Sequence, residues 1–179
     1  MITSCLIFLA SFSSGELQPS PANMMEIWGC LKVVPTNMVQ HLPHYVEHFD
    51  EENLYTAVRI GWCESRGKST AYRKSADDSG VKQFIPSTWN WIAEKHDMPM
   101  WDEWIILRYG QPYFGSLIKV EDEGMSARRV QFVPYYNIKM ASLLAEDTYS
   151  KLTWRDWNSS KWCWGDVKKW EKRWRSEED

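Results

Sequence analysis

The chain has 179 residues and a formal net charge of −3 at pH 7, so it lacks the strongly basic field expected of a protein that binds nucleic acid. Hydrophobic residues make up 44% and charged residues 25% of the sequence, which is typical of a soluble globular protein. Tryptophan is the outlier, with twelve copies. We expect most indoles in the core, because tryptophan buries a large apolar area, and a minority in a cleft where they would suit sugar rings.

Residues 1–25 are predicted to be a leader or a flexible tail. An apolar run from Cys5 to Phe12 precedes Ser-Ser-Gly, which is typical of a secretory signal. No Lys or Arg precedes the run, however, and a translation start at Met24 or Met25, or a tail that packs on a partner, would also explain the pattern. The run is too short to span a membrane.

The next elements are predicted to be helices. Residues 35–49 place apolar side chains at helical spacing, interrupted by Pro43. A stronger helix follows, because Asp50 is a good N-cap and two glutamates occupy the first turn after it. This helix should run to about Ser65, with Gly67 as its stop.

The middle of the chain carries weaker patterns. Residues 69–84 are polar and indicate a loop or a short hairpin. A helix opens at Pro86. Residues 97–134 are rich in Gly and Pro and predict an irregular insertion, with a strand expected near residues 114–120.

The last part of the chain is again helical in pattern. One helix is predicted to start near Asn137, a short one to hold Trp154 and Trp157, and a final one to span residues 166–175. The predicted fold class is mainly α with a small β element (α+β), in a single domain at residues 26–179.

The four cysteines show no metal-binding spacing. Cys5, Cys30, Cys63 and Cys163 form no CxxC pair, and the four histidines do not cluster with them, so we expect neither a metal site nor a cofactor. Cys63 and Cys163 would form a disulfide if the chain is exported, or remain two buried thiols if it is not. The sequence leaves both alternatives open.

Glu64 is the candidate catalytic residue. It continues a stripe on one face of the predicted helix, formed by Ala57, Ile60 and Gly61. Burial and the negative end of the helix dipole would both favour the protonated acid, the form that donates a proton to a glycosidic oxygen. The alternative is an ordinary glutamate at a helix end, solvated or paired with Arg66 or Arg73.

Short motifs follow Glu64 in a fixed order. They are Glu64-Ser65, Ala71, Gly80-Val81-Lys82-Gln83, Pro86-Ser87-Thr88, Asn137-Ile138, and then Trp154, Trp157 and Cys163-Trp164-Gly165. In this order they resemble the lysozyme-like superfamily, specifically its branch of lytic transglycosylases and phage muramidases. The resemblance covers about residues 50–95 and 135–166. It implies a lysozyme-like fold with a small β-hairpin or loop after the catalytic helix.

The resemblance also implies roles for individual residues. Glu64 would be the general acid and base, Ser65 and Gln83 would line the sugar subsites, and Phe84 would flank the cleft. The far wall would be formed by Tyr136 and Asn137. For Ser65, Gln83 and Asn137 the alternatives are a hydroxyl that bonds its own helix, a turn residue and a helix cap.

The chemistry after protonation depends on a second carboxylate. A glycoside hydrolase of the usual kind needs one, and Asp77 or Asp78 would supply it if either reached the cleft; we include Asp78 among the substrate-binding candidates. Otherwise they form a solvated turn pair, and the substrate's own N-acetyl group assists a transglycosylation. The chain departs from the family pattern at Lys82, in the length of residues 97–134 and in lacking a Tyr-Asn-Ala-Gly segment.

The leading hypothesis is therefore an enzyme that cleaves the β-1,4 bond between MurNAc and GlcNAc in peptidoglycan. It would be of phage or bacterial origin, exported to the periplasm or cell wall or carried in a virion beside other phage proteins. The first alternative is a non-catalytic virion protein that keeps a lysozyme-like fold and binds glycan. The second is a carbohydrate-binding module that uses exposed tryptophans.

Overall fold

The computed structural model describes residues 2–17, 20–108, 120–122, 125–147 and 153–178. The chain divides into two compact units. The first combines Met1–Gly67 with Trp154–Asp179, and the second is Lys68–Thr153. The described residues are mainly helical, as the sequence predicts, and none of their helices is long and apolar enough to cross a membrane.

The elements of the two units are numbered in chain order. The helices are α1 (Ile2–Ser13), α2 (Pro21–Cys30), α3 (Thr36–Val39), α4 (Leu42–His48), α5 (Glu51–Ser65), α6 (Pro86–His96), α7 (Pro134–Asp147), α8 (Lys161–Trp164) and α9 (Val167–Glu178). The strands are β1 (Tyr72–Arg73), β2 (Asp78–Ser79), β3 (Trp104–Arg108), β4 (Val120–Asp122) and β5 (Met125–Arg129). Single 3₁₀ segments span Val130–Phe132 and Arg155–Ser160.

Helix α5 is central to the first unit, where it contacts α1, α4 and α8. Its start matches the prediction, because the Asp50 carboxylate accepts a hydrogen bond from the Asn53 amide at 2.9 Å. It ends at Arg66, which adopts a left-handed conformation with φ 56° and is followed by Gly67 at φ 72°. A left-handed residue followed by glycine is a common way to end a helix.

Pro43, which interrupts the predicted helical pattern at residues 35–49, lies in the first turn of α4. Proline is tolerated there because a first-turn amide has no partner within its own helix. The single apolar pattern therefore becomes two short helices, α3 and α4.

Helix α1 covers the apolar run of the predicted leader. Leu6 and Leu9 are fully buried, α1 contacts α4 and α5, and Cys5 forms a disulfide with Cys30 in α2. In the structure, residues 2–13 are thus a packed helix and not a flexible tail. Cleavage of a leader stays a prediction.

The tryptophans near the end of the chain mostly pack in the core of the first unit, as expected from their large apolar area. Trp157, Trp164, Trp170 and Trp174 are buried. Trp170 meets Trp62 of α5 edge to face, with ring centroids 5.9 Å apart. The amphipathic α9 therefore closes the core beneath α5, and Trp162 is left largely exposed.

The second unit contains the predicted hairpin and a sheet that was not predicted. Strands β1 and β2 pair antiparallel, with Arg73 opposite Asp78. Residues 97–134, predicted to be irregular, contain an antiparallel sheet of order β3-β5-β4. The apolar stretch of β3 forms this sheet by pairing with β5, which lies about twenty residues further along the chain, and such non-local pairing is hard to infer from local patterns. Most of the strand expected near residues 114–120 lies outside the described residues.

Helix α7 begins three residues earlier than predicted, at Pro134 and not at Asn137. Proline suits a helix start, because its missing amide would have no partner there. Asn137 consequently lies inside the first turn of α7, where its side chain points back to the preceding segments of the second unit.

Candidate functional site

Glu64 lies in the last turn of α5 and is partly buried. The residues that precede it on the same face of the helix, Ala57, Ile60 and Gly61, are all buried. The predicted stripe therefore does face the interior of the first unit, and Glu64 lies where the stripe reaches the surface. A carboxylic acid at such a position combines partial shielding from water with access for a ligand.

Side chains from α3 and from the residue before α4 hold the end of α5. Asn37 Nδ2 donates a hydrogen bond to the Arg66 carbonyl at 2.7 Å. His41 Nε2 lies 2.8 Å from the Gly67 carbonyl, and because a carbonyl only accepts, this nitrogen carries the proton. Carbonyls at the end of a helix lack partners within it, so these two bonds fix the backbone just beyond Glu64.

Arg66 adds a second restraint. Its guanidinium donates to the Trp62 and Cys63 carbonyls at 3.2 and 3.1 Å, lies over the Trp62 ring at 4.1 Å from the centroid, and forms an ion pair of 2.7 Å with Glu177 of α9. The side chain therefore caps α5 and joins it to α9.

The residue before Glu64 is covalently tied. Cys63 forms a disulfide with Cys163 of α8, with Cα atoms 6.0 Å apart, so of the two alternatives for these cysteines the structure shows the disulfide. The backbone on both sides of Glu64 is thus fixed, by a disulfide before it and by hydrogen bonds after it.

Gly80 and Gln83 form a tight turn in the second unit. Both have positive φ, 81° and 53° respectively. Gln83 Nε2 donates to the Gly80 carbonyl at 2.8 Å and to the Ala71 carbonyl at 3.2 Å. The amide group of Gln83 therefore stabilises the turn, which is the alternative role that the sequence left open for it.

Asn137 anchors this turn to α7 and is completely buried. Its Oδ1 accepts from the Lys82 amide at 2.8 Å. Its Nδ2 donates to the Ser79 carbonyl at 3.2 Å and to the Gln131 carbonyl at 3.0 Å. The donors and the acceptor of the side chain are all engaged within the protein, so Asn137 acts as a tie between three backbone segments.

Asp77 and Asp78 differ sharply in environment. Asp78 is 2% exposed and forms a bidentate ion pair with Arg73, whose Nε donates to Oδ2 at 2.9 Å. Asp77 is exposed, has a φ of 53°, and accepts a hydrogen bond from the Tyr72 hydroxyl at 3.0 Å. Only Asp77 matches the solvated turn residue that the sequence indicates for this pair.

The remaining predicted site residues have mixed placements. Ser65 is buried, and its hydroxyl donates to the Gly61 carbonyl of the same helix at 3.1 Å, which is the alternative role left open for it. Phe84 is buried and meets Trp89 edge to face at 5.6 Å. Tyr136 is partly exposed and contacts the Tyr135 ring. The Lys82 side chain is fully buried.

The predicted site residues thus fall into two groups. Glu64 and Ser65 belong to the first unit, whereas Asp78, Gln83, Phe84, Tyr136 and Asn137 belong to the second. Within the second unit, Gln83 and Asn137 meet around one turn although they are more than fifty residues apart in sequence. Asn37 and His41, which hold the end of α5, were not predicted, since nothing in their local sequence marks them as partners of Arg66 and Gly67.

Among the described residues, no group of three or more His, Cys, Asp or Glu side chains is arranged to hold a metal ion. Searches against protein-family models, curated proteins and solved structures found no match to this chain.

Proposed function

We propose that this protein is a peptidoglycan-cleaving enzyme of the lysozyme-like type, with Glu64 as its general acid and base. The observation that carries the proposal is the position of Glu64 at the surface end of a buried stripe, on backbone that is fixed on both sides. A general acid must stay within hydrogen-bond distance of the oxygen that it protonates, and a restrained helix end meets that need. The order of motifs after Glu64 adds the resemblance to lytic transglycosylases and phage muramidases.

In the proposed reaction, Glu64 gives its proton to the glycosidic oxygen as the bond from that oxygen to the anomeric carbon breaks. The substrate's N-acetyl group stabilises the anomeric carbon. A hydroxyl of the same sugar then attacks that carbon, and its proton passes to the Glu64 carboxylate. The acid is regenerated, and the products are a chain with a new free hydroxyl and a chain that ends in an anhydro sugar.

The environment of the two aspartates favours this lyase route over hydrolysis. Asp78 is buried, and the Arg73 guanidinium already engages its carboxylate. Asp77 is exposed and accepts a hydrogen bond from Tyr72. Neither aspartate has the features of a second catalytic carboxylate, which a glycoside hydrolase of the usual kind needs.

The test is Glu64→Gln, which keeps the size of the side chain and removes the titrating proton. We expect the clearing of a cell-wall suspension to fall by at least about 100-fold, the usual contribution of a general acid. Glu52→Gln is the matched control, because Glu52 is an exposed carboxylate in the first turn of the same helix, and it should clear at the wild-type rate. Wild-type turnover by Glu64→Gln would refute the proposed role.

Mass spectrometry of the products then separates lyase from hydrolase. We expect anhydromuramyl ends, whereas reducing ends would show that water attacks the anomeric carbon. The same digest from the Glu52→Gln control should contain the same products as wild type.

One observation favours a second candidate, a glycan-binding protein without catalysis. The side chains of Ser65, Gln83 and Asn137 bond to the protein's own backbone, so they serve the fold before they serve any ligand. A wild-type protein that binds sacculi but releases no soluble fragments would select this candidate.

The two disulfides indicate the kind of compartment in which the protein works. All four cysteines are paired, Cys5 with Cys30 and Cys63 with Cys163. Disulfides persist in oxidising surroundings, which supports a protein that works outside the cytoplasm, in the periplasm or cell wall, or in a phage virion.

A further inference from the structure

A cationic pocket lies between α8 and α9 in the first unit. It has a volume of about 420 Å³. Its lining residues are Trp162, Cys163, Lys169, Lys172, Arg173 and Ser176. Three of these six side chains are cations and one is an indole that is 66% exposed. An open pocket with convergent charges beside an aromatic ring is typical of a binding site.

The charge of this surface is opposite to that of the whole chain. Helix α9 carries five basic and three acidic residues, although the chain as a whole has a net charge of −3. Lys169 has a single long contact of 3.9 Å with Asp166, and within the described part of the chain Lys172 has no ion-pair partner. Ammonium groups so weakly neutralised attract an anion.

Arg173 and Trp162 are held in place. The guanidinium lies over the Trp162 ring at 4.5 Å from the centroid, and its Nε lies 3.4 Å from Glu177 Oε1. Glu177 is also the partner of Arg66 at the end of α5. A chain of contacts therefore runs from the pocket to the residue two positions beyond Glu64.

The pocket also lies close to Glu64 through the disulfide. Cys163 lines the pocket, and its Cα is 6.0 Å from that of Cys63. Since adjacent Cα atoms are about 3.8 Å apart, the Cα atoms of Cys163 and Glu64 are separated by at most about 10 Å. The backbone of Glu64 therefore lies within about 10 Å of a residue that lines the pocket.

We propose that this pocket binds an acidic peptide stem of peptidoglycan, with a stem carboxylate at Lys169 and Lys172 and the apolar portion of the stem against Trp162, whose ring Arg173 holds in place. Peptidoglycan supplies such carboxylates on its peptide stems, so the choice of ligand rests on the proposed function. The contacts between the pocket and this ligand are separate from the proposed contact between Glu64 and the glycosidic oxygen. It is a binding site and takes no part in bond cleavage.

Binding is measured by calorimetry with Glu64→Gln protein, so that nothing is cleaved during the titration. The probes are soluble peptidoglycan fragments with free carboxylates and the same fragments with those carboxylates amidated. We expect the native fragments to bind about 10-fold more tightly than the amidated ones. A Lys169→Gln/Lys172→Gln variant should bind native fragments about 10-fold more weakly, because two exposed charge contacts are removed. Its affinity for amidated fragments should be unchanged.

Matched controls separate the pocket from general surface charge and from any exposed indole. Lys168 is exposed on α9 but does not line the pocket, so Lys168→Gln should bind as tightly as its parent. Trp162→Ala should weaken binding at least about 5-fold. Trp91→Ala should not, although Trp91 is also a half-exposed indole with a lysine over its ring.

Three outcomes would overturn the site. One is equal affinity for native and amidated fragments, and another is a loss with Lys168→Gln as large as that with the double variant. The third is that vesicles of anionic phospholipid bind to the protein, that this binding depends on Lys169 and Lys172, and that the fragments do not bind. A failure of the proposed function looks different, because wild type would then cleave nothing while the affinity differences persist.

Discussion

Gly80, in the second unit, has no space for a side chain. A Cβ there would lie 2.2 Å from Asn137 Nδ2 and 2.3 Å from the Gln131 carbonyl oxygen, and the φ of 81° is itself unfavourable for an L-residue. Backbone conformation and close approach thus both require glycine. The turn that includes Gln83 can form only because residue 80 has no side chain.

Replacement of Gly80 by alanine should lower the free energy of unfolding by about 2–3 kcal/mol, because the strained φ and the overlap with Asn137 both act. Urea denaturation followed by tryptophan fluorescence measures the change. Gly29→Ala is the control, since a Cβ at Gly29 meets nothing within 4 Å in α2. It should change stability by less than about 1 kcal/mol, toward greater stability. Equal effects of the two substitutions would contradict the close contact at Gly80.

At the scale of elements, α4 presents a pH-dependent surface within the first unit. His44 and His48 lie on the helix and His41 directly precedes it, and positions separated by three and four residues share a helix face. Burial, and then the charges of His41 and His48, lower the pKa of His44 from 6.5 to about 4. The helix therefore packs with this ring neutral.

The free energy of unfolding should fall as the pH falls from 6.5 to 4. Over that interval an unfolded histidine binds its proton and folded His44 does not, which amounts to about 3 kcal/mol in total. Denaturation curves at pH 7, 5.5 and 4 measure the loss. His44→Gln should remove most of this dependence of the free energy of unfolding on pH. If the free energy of unfolding of His44→Gln still fell as steeply with falling pH, groups other than His44 would be the cause.

The elements differ in how well the sequence predicts them, for a physical reason. Helix α5 was predictable because its N-cap, acidic first turn and final glycine are all local signals. Strands β3 and β5 were not, because each depends on a partner elsewhere in the chain. The same holds at the site. Glu64 is marked by its own helix, whereas Asn37 and His41 act on residues 29 and 26 positions away, and only the folded chain brings them together.

At the scale of the whole molecule, the first unit is built from two separate stretches of the chain. Its second stretch supplies the buried Trp170 and Trp174, and it is joined to the first by the bond between Cys63 and Cys163. These cysteines are separated by 100 positions in sequence, and the stretch between them includes the entire second unit. This cross-link therefore limits the freedom of the unfolded chain more than the Cys5–Cys30 bond, which closes a loop of 25 residues.

Removal of the long-range cross-link by Cys63→Ala/Cys163→Ala should destabilise the first unit by about 4.7 kcal/mol, the loop entropy expected for that length. The Cys5→Ala/Cys30→Ala variant should lose about 1 kcal/mol less, because the closed loop is shorter. Thermal unfolding of the oxidised proteins compares the two. A larger loss from the shorter loop would show that packing around Cys5, and not chain entropy, sets the order.

The two-stretch construction of the first unit also has a consequence for the timing of biosynthesis. The ribosome releases Glu64 long before it releases Cys163 and the tryptophans of α9. Until then α5 lacks both the disulfide beside Glu64 and the Glu177 partner of Arg66. A nascent or prematurely terminated chain would carry the proposed acid on an unsupported helix end. The helix end at Glu64 therefore reaches its supported form only after the second stretch of the first unit has been synthesised.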